Sequence, residues 1–136
     1  MDVLTIERDF TAWVASVLNL TVDQDVFRGG IPEGVEQGVG VLFGSEVPSR
    51  GFYGFRPRTW NVQIIGKYTD RDASMWLLSC LNGLFPRPGF THNSTKFVSI
   101  SPRGASEPYE ADDGGVVKTF VTFNVLLSVL TTGAQS

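Results

Sequence analysis

The closing segment of the chain alternates apolar residues over a length that few small domains need. In Val116–Leu130, VVKTFVTFNVLLSVL, the odd positions except Thr119 are apolar, with the period of two that is typical of a β-strand. At ~3.3 Å per residue this strand would span roughly 45–50 Å, about twice the usual length. The other face is only half polar, because it carries Phe120, Leu126 and Leu130. We therefore expect part of the strand to lie against another subunit, although a long bent strand around a single core is the alternative.

Composition limits what the rest of the chain can be. With 136 residues, 42% of them hydrophobic, the sequence predicts one domain over residues 1–136 with a real core. The net charge of −3 gives no basic field, so any binding of nucleic acid would have to be local. A single cysteine, Cys80, supplies neither an internal disulfide nor a metal cluster. Neither a signal peptide nor a membrane span is predicted.

Two segments have the period of an amphipathic helix. The first has an apolar stripe formed by Ile6, Phe10, Trp13, Val14, Val17 and Leu18. The second has a stripe formed by Ala73, Trp76, Leu77, Cys80, Leu81 and Leu84. Thr69–Asp72 before it resembles a capping box, and Pro86 and Pro88 end it. Because Cys80 lies on this stripe, we interpret it as a packing residue rather than a reactive thiol.

Strand patterns occur at five places in the sequence, including the closing strand. The other four strands are predicted at Val26–Arg28, Val39–Phe43, Trp60–Tyr68 and Lys96–Ile100. The segments Gly44–Arg58 and Pro102–Gly115 are expected to be loops, because glycine, proline and charged residues dominate them. Together these elements predict an α+β fold, with an antiparallel or mixed sheet of four to five strands and two helices packed on one face.

The residues that an enzyme would need are scarce. His92, the single histidine, lies in a polar turn with no nucleophile or carboxylate at a known spacing. Asp70 and Asp72 are explained as favourable charges at a helix N-terminus. The acidic residues after the fourth strand lack the spacing of a calcium loop, so a solvated loop is favoured over a metal site. We expect a protein that is not an enzyme, with no catalytic, cofactor-binding or metal-binding residue.

The segment Gly44–Arg58 combines arginines with aromatic residues: Arg50, Phe52, Tyr53, Phe55, Arg56 and Arg58. This mixture occurs both at protein interfaces and where proteins contact nucleic acids. Because the whole chain is acidic, we favour a protein interface. The predicted interface also includes the acidic residues Glu107, Glu110, Asp112 and Asp113, and the apolar residues Phe120, Leu126 and Leu130 of the closing strand. The arginines of the loop would pair with carboxylates of a partner.

Taken in order, these elements resemble the tail terminator family of long-tailed bacteriophages, also called tail completion or minor capsid proteins. The features that carry the resemblance are the amphipathic N-terminal helix, the turn VFRGGIP, the strand WNVQIIGKY that runs directly into TDRDASMWLLSCLNGLF, and the long closing strand. The resemblance covers nearly the whole chain. Departures from the family pattern are the aromatic Gly44–Arg58 loop and the acidic Pro102–Gly115 loop.

The resemblance implies a structural role in the virion. Members of the family form rings, typically hexameric, that cap the last ring of tail-tube subunits, stop tube growth and face the head connector. Genome DNA passes through the central pore without specific binding. A neck or stopper protein of the same virion and, less favoured, a small DNA-binding module are the alternative functions. No cofactor and no membrane are implied, and the expected location is the virion, after assembly in the host cytoplasm.

Overall fold

The computed structural model describes residues 3–47, 56–85, 87–113 and 115–131, and the side chains of all of these except residues 56, 113 and 131. Within these ranges two helices and seven strands follow one another. In order they are α1 (Val3–Leu18), β1 (Val26–Arg28), β2 (Gly38–Val47), β3 (Arg56–Tyr68), α2 (Arg71–Leu84), β4 (Phe90–His92), β5 (Thr95–Ala105), β6 (Tyr109–Asp113) and β7 (Val116–Thr131).

The strand β7 is the centre of one mixed sheet. The strand order is β1-β2-β3-β7-β5-β4, and β6 also pairs with β7. On one side β7 is antiparallel to β3, from Tyr68 opposite Thr119 to Arg56 opposite Thr131. On the other side it pairs first with β6 and then with β5, both antiparallel. The one parallel pair in the sheet joins β1 to β2. The length of β7 is therefore explained by its pairing with three strands, β3, β5 and β6.

The expected sheet of four to five strands with two helices packed on one face is wrong. The sheet has seven strands and it curls. Helix α1 contacts β1 near one end of the strand order and β4 and β5 at the other end, while α2 contacts β3 and β7. The cause is strand twist, because the twist accumulates over seven strands and brings the two edges of the sheet towards each other. Helix α1 lies between these edges rather than on a flat layer.

A single hydrophobic core fills the concave side of the sheet. The predicted stripe of α1 is confirmed, since Ile6, Phe10, Trp13, Val14 and Leu18 are all buried. In α2 the stripe is narrower than predicted: Leu77 and Leu81 are buried, but the Trp76 side chain is exposed. The core side of β7 is buried at every odd position from Val121 to Val129. Periodicity therefore located the core face of α1 and β7 correctly, but only part of the core face of α2.

The junction between β3 and α2 is closely packed. Asp70 caps the helix, because its Oδ1 accepts a hydrogen bond of 2.8 Å from the backbone N–H of Ala73. Leu77 then lies against the backbone of β3 at Gly66, where any Cβ would collide with Leu77 Cδ2. A glycine is needed at this point of β3 because the helix approaches the sheet so closely.

The predicted acidic loop Pro102–Gly115 is in fact largely strand. β5 continues to Ala105, and β6 then forms a hairpin with β7 through a turn at Gly115, which has φ +89°. Where β5 and β6 are interrupted, the Ser106 N–H donates to the Thr122 carbonyl and Ser106 Oγ accepts from the Thr122 N–H, at 2.8 and 3.0 Å. The hydroxyl replaces a missing backbone partner, so the two strands align with β7 almost without a break.

The predicted loop Gly44–Arg58 is also shorter than expected. β2 extends to Val47, with a bulge between Phe43 and Glu46, and β3 begins at Arg56. Because a bulge adds residues to one strand, the alternation of apolar and polar residues is interrupted there, and the sequence pattern no longer indicates a strand. Residues 48–55, which include the predicted contact residues Arg50, Phe52, Tyr53 and Phe55, lie outside the described residues.

Candidate assembly surfaces

The hairpin of β6 and β7 extends beyond the rest of the sheet. β3 pairs with β7 only as far as Thr119, so in the described structure residues 111–113 and 116–118 are strand residues that pair only with each other. We call the hairpin from Tyr109 to Lys118 the arm. Val116 and Val117 are 55% and 60% exposed, although Val117 continues the side of β7 that is buried from Val121 onwards. The arm therefore carries apolar side chains away from the core into solvent.

The strand register fixes what each face of the arm presents. Asp112 lies opposite Val117 and Glu110 opposite Thr119, so two carboxylates of β6 lie beside Val117 and Thr119 on the core side. On the other face Tyr109 lies opposite Phe120, and their rings stack with centroids 5.9 Å apart. The predicted interface residues Glu110, Asp112 and Phe120 are thus brought together on one hairpin, whereas Glu107 lies in the connection before it.

The outer face of the sheet, which is the side opposite the core, carries Leu126 and Leu130 of β7. Both are half-buried, as is Phe120. Beside them a shallow depression of about 420 Å³ crosses β2, β3 and β7 at the bulge. Its lining residues are Leu42, Phe43, Gly44, Asn61, Val62, Gln63, Asn124 and Val125. This surface mixes aliphatic and amide groups and carries no charged side chain among its lining residues.

Arg58 is held by its own subunit. Its Nε and Nη2 donate to Oε2 and Oε1 of Glu46 at 3.1 and 2.8 Å, and its guanidinium carbon lies 4.7 Å from the centroid of the Trp60 ring. The hydrogen bond from Arg58 lowers the pKa of Glu46 and opposes the smaller effect of burial. The bidentate pair ties the end of β2 to the start of β3. Arg58 is therefore less suited than predicted to reach a phosphate or a partner.

A small groove lies between α1 and the segment that leads into β1. Its volume is about 190 Å³, and its lining residues are Arg8, Thr11, Val22, Asp23 and Arg28. The Arg8 side chain is 65% exposed, and Arg28 Nε lies 3.3 Å from Oε1 of Glu7. Leu4, also strongly exposed, precedes Arg8 by one turn of α1 and shares its side of the helix. The groove therefore presents two guanidinium groups and the carboxylate of Asp23 beside apolar surface.

The most deeply buried carboxylate belongs to Asp9 of α1. Its Oδ2 accepts hydrogen bonds from Thr95 Oγ1 at 2.6 Å, from Ser94 Oγ at 3.0 Å and from the Ser94 N–H at 3.2 Å. Burial alone would raise the pKa of Asp9, but these hydrogen bonds outweigh it and the pKa lies below its ordinary value. Its partners lie at the turn from β4 to β5, so this cluster joins α1 to the sheet.

Two further side chains that could react are Cys80 of α2 and Tyr68 at the end of β3. Cys80 is half-buried, as the packing interpretation expects. Burial raises the pKa of Tyr68 to about 12, and electrostatic interactions with Cys80 and Asp25 act in the same direction. Within the described ranges, no three His, Cys, Asp or Glu side chains are grouped so that they could hold a metal ion. No helix in the described part of the chain has the length and hydropathy needed to cross a membrane.

Sequence reasoning missed the arm and the groove for different reasons. The arm had a usable signal, because the third strand ends at Tyr68 while the closing strand is much longer, so its first residues had to extend past their neighbour. The groove had no signal in the sequence. Arg8 lies in a helix, Val22 in a turn and Arg28 in a strand, and no local sequence pattern shows that these three elements pack together.

Comparison with known proteins gives no independent identification. Neither the models of known protein families nor the curated proteins contain a match to this chain. The class of protein must therefore be inferred from the fold, the arm and the resemblance described above.

Proposed function

We propose that this chain is a structural subunit of a bacteriophage virion, which forms a ring on the end of the tail tube, stops tube growth and joins the tail to the head. The observation that carries the proposal is the arm, with exposed Tyr109, Val116 and Val117 on a two-stranded hairpin. Exposed aliphatic and aromatic groups on a regular element favour a protein interface over a solvent-facing loop.

The shape of the chain suits a ring subunit. An arm on one side of a molecule makes head-to-tail contacts with a different patch of the next copy, and such contacts close into a ring when the rotation between copies allows it. A hexamer is the form that the resemblance to tail terminators implies. The chain is acidic, with a net charge of −3, so a ring of it would repel DNA in its pore and let the genome pass.

The described arginine of the predicted loop favours a protein partner over DNA. Arg58 already pairs with Glu46 through Nε and Nη2, so a new phosphate contact would have to compete with that pair. A DNA-binding module would also lose affinity steeply as salt rises, because it releases counterions from phosphates. We therefore expect no salt-sensitive binding of duplex DNA.

Light scattering and negative-stain microscopy of the purified protein test the proposal. We expect a species well above monomer mass and images of rings with a pore, either in solution or after addition of assembled tail tubes. Binding to tube ends supports the terminator role, whereas rings that bind a head connector and ignore tube ends would identify a neck or stopper protein instead. A protein that stays monomeric in solution and on tail tubes would rule out the ring.

A further inference from the structure

The edge of the sheet formed by β5 and β6 has its charges sorted by sign. Both strands pair with the same side of β7, β6 with its first part and β5 with its second. Residues 87–105, which include β4 and β5, carry no acid and three cations: Arg87, Lys96 and Arg103. Residues 106–113, which include β6, carry no cation and four acids: Glu107, Glu110, Asp112 and Asp113. One edge therefore has a basic half followed by an acidic half.

The charges of this edge are not neutralised within the chain. Exposed side chains carry most of them, namely Lys96, Arg103, Glu107, Glu110 and Asp112. Arg87 is half-buried, and its guanidinium carbon lies 5.6 and 5.3 Å from the ring centroids of Trp13 and Phe90. The ion pairs found among the described residues involve Arg8, Arg28 and Arg58, and none of them includes a residue of this edge.

The pairing with β7 gives the position of each charge along the edge. In the basic half, Arg87 forms a bridge with Ile100, which lies opposite Leu127. Lys96 precedes Phe97, the partner of Val129, so Lys96 is level with Leu130. In the acidic half, Glu110 lies opposite Thr119 and Asp112 opposite Val117.

The positions of the two halves are symmetric about the level of Phe123. Leu127 and Thr119 are both four residues from Phe123, so Arg87 and Glu110 are equally distant from it. Lys96 and Asp112 lie seven and six residues away on opposite sides. Nearest to the centre are Arg103, between the partners of Val125 and Asn124, and Glu107, which follows the Ser106 contact with Thr122. Each cation therefore has an acid at a matching distance.

We infer that this edge is a twofold interface, at which a second copy of this chain lies antiparallel with its acidic half against the basic half of the first. The axis passes near Ala105, which lies opposite Phe123. Arg87 then faces Glu110 of the partner subunit, and Lys96 faces Asp112 of the partner subunit. A parallel arrangement would place like charges opposite each other, which is unfavourable.

The symmetry of this contact separates it from the proposed ring. Every ion pair occurs twice across a twofold axis, so the contact is isologous and joins two copies without closing a ring. The inference therefore goes beyond the proposed function and does not depend on it. Exposed ion pairs are individually weak and are screened by salt, so the contact should form at low ionic strength and weaken as salt is added.

A single cysteine at the axis tests the symmetry, because there it meets its own counterpart. In a Cys80→Ala background, Ala105→Cys should form chain-to-chain disulfides on mild oxidation at low salt. The rate should exceed that of the control Ser79→Cys at least about tenfold, since Ser79 is exposed on α2 away from this edge. Added salt should slow the first reaction and leave the second unchanged.

Charge reversal in the same Ala105→Cys background tests the pairing. Glu110→Lys with Asp112→Lys makes the edge basic throughout, and Lys96→Glu with Arg103→Glu makes it acidic throughout. Each variant alone should cross-link at least about tenfold more slowly, because like charges now face each other. An equimolar mixture should recover the rate, and mass spectrometry should find one chain of each variant in the covalent pairs.

The control for net charge is Glu33→Lys with Glu36→Lys, which changes two exposed acids of the β1–β2 connection. Circular dichroism confirms the fold of every variant. The twofold contact would be overturned by Ala105→Cys that cross-links no faster than Ser79→Cys, by equal slowing in the control, or by variants that mixing does not rescue. Because light scattering and microscopy of the wild type test the ring, either proposal can fail while the other stands.

Discussion

Asp9 is the residue that most clearly links local chemistry to the fold. It is 1% exposed, and one of its oxygens accepts three hydrogen bonds from the turn between β4 and β5. The other oxygen, Oδ1, has no hydrogen-bond partner among the described residues, and Arg8 Nε lies 3.8 Å from it. The Asp9 carboxylate can remain charged while buried because these hydrogen bonds compensate for the hydration that it loses on folding. It fixes α1 to one edge of the curled sheet.

We predict that Asp9→Ala lowers the free energy of unfolding by about 2–4 kcal/mol at neutral pH, because Ser94 and Thr95 lose their shared acceptor. Urea unfolding measures the difference, and Glu36→Ala, which removes an exposed carboxylate of the β1–β2 connection, should change it by less than about 0.5 kcal/mol. Equal losses in the two variants would contradict the anchoring role.

The pH dependence of this stabilisation has a definite sign. Because the pKa of Asp9 is lowered by folding, its contribution is fully present above the ordinary value of 3.8 and is lost as pH falls through the lower folded pKa. The difference between wild type and Asp9→Ala should therefore be constant near neutrality and shrink below about pH 4.

Tyr68 should respond to the opposite end of the pH scale. Its pKa is raised from 10.0 to about 12, first by burial, so the neutral phenol is favoured in the folded protein. The stability that this provides is complete below pH 10 and declines between pH 10 and about pH 12. In an alkaline titration followed by tyrosine absorbance, one phenol should ionise late, and Tyr68→Phe should remove that late step. Simultaneous ionisation of all tyrosines would contradict the buried environment.

At the scale of elements, the approach of α2 to β3 depends on the missing side chain at Gly66. A Cβ there would collide with Leu77 Cδ2 and would lie 3.0 Å from both Tyr68 Cε2 and Val121 Cγ1. We predict that Gly66→Ala destabilises the fold by about 1–3 kcal/mol, as overpacking does in other cores.

Gly83, in the last turn of α2, is the matched control because a Cβ there meets nothing within 4 Å. Gly83→Ala should stabilise the fold by up to about 1 kcal/mol, since alanine is the better helix former. Opposite signs in thermal unfolding are the expected outcome, and a destabilising effect of Gly83→Ala would show that the end of α2 is more crowded than its contacts indicate.

The elements that sequence periodicity predicted are those that bury most of one face. The buried residues of both helices and of the long strands β3 and β7 repeat with the helix or strand period, although Trp76 of α2 and Val117 of β7 remain exposed. β6 was missed because Glu110, Asp112 and Asp113 have no apolar alternation, and its pairing comes from the adjacent turn and from β7 as template. β2 was cut short because the bulge at Phe43–Glu46 breaks the period.

The candidate site was predictable only in part. Phe120, Glu110 and Asp112 were chosen for their residue type, and the structure places them on one hairpin. Arg58 was chosen for the same reason, yet its cross-strand neighbour Glu46 engages it, and that pairing depends on the β2–β3 register. Arginine in a sequence indicates a capacity for ion pairs, but only the fold decides which carboxylate is nearest.

At the scale of the whole molecule, the curled sheet encloses the hydrophobic core, whereas the arm exposes apolar side chains to solvent. The curl lets α1 lie between the two edges of the sheet, which buries a core in a small chain. The arm adds nothing to that core, because Val116 and Val117 remain more than half exposed. Keeping apolar residues on a projecting hairpin costs solubility and risks aggregation unless a partner covers them. This cost is the physical reason to expect assembly.

We therefore predict that Val116→Thr combined with Val117→Thr leaves the fold intact and weakens ring formation. Threonine keeps the branched shape that the strand requires and removes one methyl group from each apolar contact, so association should fall about tenfold or more. The control is Met75→Gln with Trp76→Gln, which removes exposed apolar surface from α2 instead. Light scattering over a concentration series measures both variants. Undiminished assembly of the arm variant, or equal losses in the arm and α2 variants, would remove the arm from its proposed role as the contact between subunits.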